Sequence, residues 1–192
     1  MTRFIPWFWL LFLVWWLVRA RGVKAARTSE NAAARWTQTA VMVVSYTLIA
    51  SNWFDRGILG ASFISTETHH LFDPFFTLLA LLGFGLAIWA REHLGRNWSV
   101  RITIKEGHEL IRTGPYALIR HPIYTGILLA AFASALVVGH VHALIGFAVL
   151  AIGFWFKSRK EERWMAGEFG KSYEDYRKVS GHFLPRVARG GR

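Results

Sequence analysis

Five apolar stretches punctuate this chain: Phe4 to Val18, Thr37 to Trp53, Pro74 to Ala90, Pro122 to Val138 and Val141 to Phe156. Each lies near the short end of the roughly 17–25 helical residues that cross about 30 Å of hydrocarbon. With 53% hydrophobic residues and ten tryptophans among 192 residues, the solvent of this core is lipid. The expected fold is an all-α integral membrane protein of about five transmembrane helices, with a ligand pocket at its cytoplasmic, C-terminal end. No internal period and no low-complexity tract interrupts that reading, which leaves one helical bundle.

Charge placement orients the bundle. Arg19, Arg21, Lys24, Arg27 and Arg35 follow the first stretch, Arg91, Arg96, Arg101, Lys105, Arg112 and Arg120 lie between the third and fourth, and ten more basic residues follow the fifth. Only Arg3 and Arg56 fall on the other side. The positive-inside rule puts the N-terminus outside and the C-terminus in the cytoplasm. The net charge of +11 is then a surface for anionic headgroups rather than for nucleic acid, because the aromatic residues sit mostly in the apolar spans. The first stretch reads as a retained anchor, since it meets Arg19 and Arg21 without a small-residue cleavage site. Cysteine is absent, which excludes disulfides, thiolate metal sites and a cysteine nucleophile.

Several connections carry local signals. Ala20 to Ala34 is polar and alanine-rich and is expected to form a turn or short surface helix. Between Asp55 and Asp73 the pair His69-His70, with Glu67, sketches a metal site, but adjacent histidines on a loop project apart, so interfacial histidines are preferred and no metal is expected. Trp89 to Ser99 suits the headgroup region, and Gly83 and Gly85 permit close helix packing, within one chain or between two. Val100 to Leu110 alternates apolar and polar residues and reads as an extended segment forming a hairpin or lid near Gly107 and His108. Glu168 to Arg177 reads as a helix, and Pro185 breaks the chain beyond it.

Two polar clusters flank the last hairpin. Gly114-Pro115-Tyr116 and Arg120-His121-Pro122-Ile123-Tyr124-Thr125-Gly126 precede the fourth span, and Glu161-Glu162 follow the fifth, so a helical hairpin returns both to one membrane face. Pro122 fits the first turn of a helix. His121 then sits at the positive helix end, which favours the neutral imidazole. Tyr124 shares its face, and Gly126 is expected to open space beside them. Glu161 and Glu162 read either as a salt-bridged helix end or as acceptors for a cation or a hydroxyl-rich ligand. Acceptors, aromatic faces and basic residues together match what S-adenosylmethionine needs, its sulfonium being drawn to an aromatic face.

At these residues the chain resembles the isoprenylcysteine carboxyl methyltransferase family, within a wider group that includes phospholipid N-methyltransferases. The hallmark reads Arg120-His121-Pro122-Ile123-Tyr124-Thr125-Gly126, then Glu161-Glu162, with further matches at Leu94 to Ser99, Gly114-Pro115-Tyr116 and Phe169 to Pro185. The resemblance implies a membrane methyltransferase with His121, Tyr124, Glu161 and Glu162 around S-adenosylmethionine, and Tyr116, Leu118, Arg120 and His108 as further cofactor neighbours. Arg159 and Arg163 would orient a substrate carboxylate. Residues 1–92 form the substrate-side membrane region and 93–192 the methyltransferase region. The implied acceptor is an isoprenylcysteine-like carboxylate, with an amino phospholipid as the alternative. Membrane sterol reductases, which bind NADPH in a comparable pocket, and a non-catalytic binding module are the other classes in view.

Overall fold

The computed structural model describes residues 4–19, 26–29, 32–64, 66–95, 103–105 and 110–186. Six helices appear in chain order: α1 (Ile5–Arg19), α2 (Ala32–Ala50), α3 (Thr66–Leu94), α4 (Pro122–Val138), α5 (Val141–Phe169) and α6 (Lys171–Val179). Large apolar side chains point outward along α1, α3 and α5, among them Leu11, Leu82 and Phe156. A soluble domain seldom presents so continuous an apolar exterior. Leu71–Leu94 and Val141–Phe169 are long and apolar enough to cross a membrane, while Ile5–Arg19 and Pro122–Val138 are apolar but shorter.

The centre of the bundle is α4. It is apolar on every side and mostly buried, from Pro122 through Gly126 and Ala130 to Val137, as expected of a helix surrounded by others. Its crossing with α3 is set by small residues: a Cβ on Gly83 would lie 2.6 Å from the Gly126 carbonyl oxygen, and one on Gly126 would lie 2.6 Å from the backbone nitrogen of Ala87. Gly126 therefore opens no space beside His121 and Tyr124, because the α3 backbone fills it. On the outer side Trp9 of α1 donates to the Ser134 hydroxyl at 3.1 Å and packs edge-on against Phe84. α2 lies on α5, where Gly146 meets Ser45 and Ile49.

The helix ends are tied level by level. At one end Arg91 donates to the last carbonyl of α1, that of Arg19, at 2.6 Å, and Arg19 pairs with Glu92. At the other, Gly139 takes the left-handed conformation (φ +73°) that ends α4, and its N–H bonds to Ala135. Residues 59–63 run against this turn through Phe63 N–H to the Gly139 oxygen, Val141 N–H to Ala61 and His142 N–H to Leu59.

Three local expectations are corrected. Within the Ala20–Ala34 connection, Ala26–Ser29 form strand β1 rather than a turn or helix. Its partner is strand β2 (Thr103–Lys105), in antiparallel register, so the expected extended segment is present there, while the hairpin or lid near Gly107 and His108 lies outside the described residues. α3 begins at Thr66, which places His69-His70 in its first turns and not on a loop. α5 continues seven residues past Glu162, so the glutamates sit inside a helix rather than at its end. A helix end would have left carbonyls facing the two carboxylates; the continued helix removes that repulsion.

Candidate functional site: a buried histidine between two glutamates

The site grows from the N-terminus of α4. Gly114 takes φ +57° in the tight turn Gly114–Ala117, and any Cβ there would strike the His93 ring. That turn delivers residues 118–121 alongside the C-terminal tail. Gly181 N–H bonds to the Leu118 carbonyl and Arg120 N–H to the Gly181 carbonyl, both at 2.9 Å, and His121 N–H reaches the His182 carbonyl at 3.3 Å. The Thr125 hydroxyl adds a bond to the Phe183 carbonyl at 2.7 Å. The tail is therefore held as a strap over the start of α4.

His121 precedes Pro122 at the head of α4 and is buried. Its Nδ1 lies 3.5 Å from Glu161 Oε2, and its Nε2 lies 3.6 Å from Glu162 Oε1. Nε2 has no hydrogen-bond partner, a buried polar atom left open in the middle of the cluster. Burial alone would lower the pKa of this imidazole, but the two carboxylates outweigh it and raise it above the ordinary histidine value. The neutral ring expected from the helix end is thus disfavoured, and the two carboxylates favour the charged form. A helix N-terminus contributes partial charge, whereas two glutamates contribute full charges within contact distance.

The two glutamates divide their work. Glu161 accepts the Tyr124 hydroxyl at 2.6 Å, and Tyr124 lies parallel to the His121 ring on one side and to Phe154 on the other. Glu162 accepts from Arg120 Nε at 2.6 Å in an ion pair buried on both sides. The same Arg120 guanidinium donates to the Ser180 carbonyl at 2.5 Å. His182 Nδ1 lies 3.0 Å from Glu162 Oε1, and its Nε2 meets the Ser158 hydroxyl at 2.9 Å. Glu162 is therefore the clamp that fixes the strap, and the guanidinium already supplies its cation. Glu161 lies beside His121 and Tyr124 and is the more exposed of the two glutamates.

The remaining expected residues are spread around this core. Tyr116 is buried against His93, and its carbonyl accepts the Tyr176 hydroxyl at 2.6 Å; burial pushes its phenol pKa up. Leu118 is exposed. Arg159 lies over the Trp155 ring at 5.8 Å and reaches Glu162 at 3.9 Å. Arg163 is exposed. His108 falls outside the described residues. His182, Ser158 and Ser180 were not anticipated, since nothing near them in sequence marks a strap; the only signal was the short Gly181-His182-Phe183 run before Pro185.

Residues 76–167 match the isoprenylcysteine carboxyl methyltransferase (ICMT) family model. A protein-S-isoprenylcysteine O-methyltransferase of Schizosaccharomyces pombe is 28% identical over 82% of this chain and 70% of its own length. A methanethiol S-methyltransferase 2 of Bradyrhizobium diazoefficiens is 38% identical over 38% of this chain and 27% of its own. A solved structure of the eukaryotic intramembrane Ras methyltransferase ICMT superposes with a TM-score of 0.52 at 19% identity, over 81% of this chain and 52% of that one, and so shares the fold. The chain spans about half of that solved protein. The segment that positions His121 between Glu161 and Glu162 lies within the part of the chain that matches the isoprenylcysteine carboxyl methyltransferase family model.

Proposed function

We propose that this protein is an integral membrane, S-adenosylmethionine-dependent methyltransferase acting on a lipophilic carboxylate of the isoprenylcysteine class. The observation that carries the reading is the convergence of His121, Tyr124, Glu161 and Glu162 in one buried cluster within the family segment. The open Nε2 of His121 and the more exposed Glu161 suit the amino and ribose groups of that cofactor. When bound, S-adenosylmethionine supplies an electrophilic methyl group and needs no metal.

The chain's own residues then hold and orient. Glu161 and His121 bind, Glu162 and Arg120 keep the strap 180–183 closed over them, and Tyr116 and Leu118 line the approach. His108 is assigned to the same side by its position in the family pattern. Arg159 and Arg163, at the rim, would hold the substrate carboxylate. A carboxylate is already ionised near neutral pH and needs no base, whereas an ammonium must lose a proton to an acceptor. The two glutamates favour the charged form of His121, which has no lone pair to take that proton, and this supports a carboxylate over an amine.

Calorimetric titration of the detergent-purified protein with S-adenosylhomocysteine and with NADPH tests the cofactor. Saturable binding of the first alone is expected, with Glu161→Gln weakening it while the thermal midpoint holds. Binding of NADPH alone would move the protein to the reductases, and binding of neither would make it a non-catalytic module. Labelled methyl transfer to an S-farnesylcysteine derivative, to phosphatidylethanolamine and to methanethiol then identifies the acceptor, with the first expected to be labelled.

A further inference from the structure

At the end of the bundle opposite His121, two histidines meet one carboxylate oxygen of an aspartate from a distant part of the chain. Asp55 follows the short turn Asn52–Phe54, and its Oδ1 lies 3.1 Å from His140 Nδ1 and 3.0 Å from His142 Nε2. All three donor atoms lie within 4.8 Å of one another. His140 immediately precedes α5 and His142 sits in its first turn. The backbone bonds between residues 59–63 and 139–142 fix both parts of the cluster on one scaffold.

The tautomer of His142 is set by its surroundings. The side chain is fully buried, and its Nδ1 lies 2.5 Å from the Leu48 carbonyl, which can only accept, so Nδ1 donates. In the neutral ring Nε2 then aims a lone pair at a carboxylate oxygen 3.0 Å away. Two acceptors at that distance are held together either by a proton on Nε2 or by a metal cation between them. An imidazole whose far N–H is held by a backbone carbonyl is the usual arrangement of a metal-bound histidine. Tetrahedral coordination at about 2.0–2.1 Å separates neighbouring ligand atoms by about 3.3 Å, close to the spacings here. Asp55 and His140 also line a recess with Ile5, Pro6, Ile49 and Asn52, which leaves a further coordination position open.

The geometry points to a two-histidine, one-aspartate site for a divalent transition ion such as Zn2+, Co2+ or Ni2+, on the membrane face opposite the methyltransferase cluster. Imidazole nitrogen selects these ions over Mg2+ and Ca2+, which prefer all-oxygen sites. The site shares no residue with the His121 cluster, so it stands or falls independently of the proposed activity.

The test uses the full chain without a histidine tag, purified in detergent and stripped with a chelator. It is titrated with Co2+ and then Zn2+, retained metal is counted after gel filtration, and the visible absorption of bound Co2+ is recorded. One equivalent per chain is expected, with Zn2+ displacing Co2+. Asp55→Asn and His140→Gln, both at the accessible side of the cluster, should lose that equivalent while keeping the helical circular-dichroism signal and S-adenosylhomocysteine binding. A stripped wild type that retains no metal would overturn the site and leave a proton shared between His142 and Asp55. Equal retention by wild type and both variants would overturn it as well, since the metal would then bind elsewhere.

Discussion

His121 and His182 share one carboxylate, with ring centroids 4.8 Å apart, and their environments push them in opposite directions. His121 is raised by Glu161 and Glu162 against the cost of burial. His182 is lowered, by burial and then by the positive charge of His121, and the attraction of Glu162 does not offset this. Linkage gives each a separate pH window. A histidine raised on folding stabilises fully below its ordinary value of 6.5, and that contribution is lost as pH rises through the raised value. A lowered histidine costs stability as pH falls below 6.5. The thermal midpoint in detergent should therefore fall on both sides of a maximum near pH 6.5. His121→Gln should abolish the alkaline limb and His182→Gln the acid one; an alkaline limb unchanged in His121→Gln would refute the assignment. Glu162 does not offer so clean a probe. Removing one partner of a buried ion pair leaves the other charge stranded, which costs about 3–5 kcal/mol, and Arg120 would be stranded.

At the scale of elements, the α3–α4 crossing positions the site, because α3 braces the whole length of the helix that begins at His121. Adding a methyl group to a helical glycine ordinarily stabilises it by up to about 1 kcal/mol. At Gly126 and Gly83 the added Cβ would meet backbone atoms of the facing helix, whereas at Gly85 it meets nothing within 4 Å. Gly126→Ala should therefore destabilise, by about 1–3 kcal/mol as for other overpacked cores, and Gly85→Ala should be neutral or stabilising. Thermal unfolding in detergent separates the two, and equal midpoints would mean that the helices do not meet here. The sequence made the elements legible where hydropathy or a proline start marked them, as for α4 at Pro122 and for the hairpin that brings His121 to Glu161. It concealed what depends on distant partners. Whether Gly126 or Gly85 faces a neighbouring backbone follows from helix rotation, which composition does not encode. The β1–β2 pairing joins residues more than seventy apart. The strap escaped for the same reason, since its hold on Arg120 and His121 runs largely through backbone groups that every residue carries.

At the scale of the whole molecule, the two polar clusters sit a membrane's thickness apart. His142 and Glu162 are twenty residues apart on α5, or about 30 Å along a continuous helix, which is the depth of the hydrocarbon layer. The strap, the Arg19–Glu92 pair and the head of α4 lie at one end, and residues 52–64 with the α4–α5 turn lie at the other. The positive-inside rule, applied to the basic residues that follow alternate apolar stretches, predicts five crossings with the N-terminus outside and the His121 cluster on the cytoplasmic side. The absence of native cysteine makes the arrangement directly testable. Ile58→Cys and Val179→Cys both put a thiol at a well-exposed position, one at each end. In intact cells a membrane-impermeant maleimide should label Cys at position 58 and spare position 179 until the membrane is permeabilised. Labelling of 179 first would invert the molecule, and labelling of both from outside would mean that α3 to α5 do not make an odd number of passes.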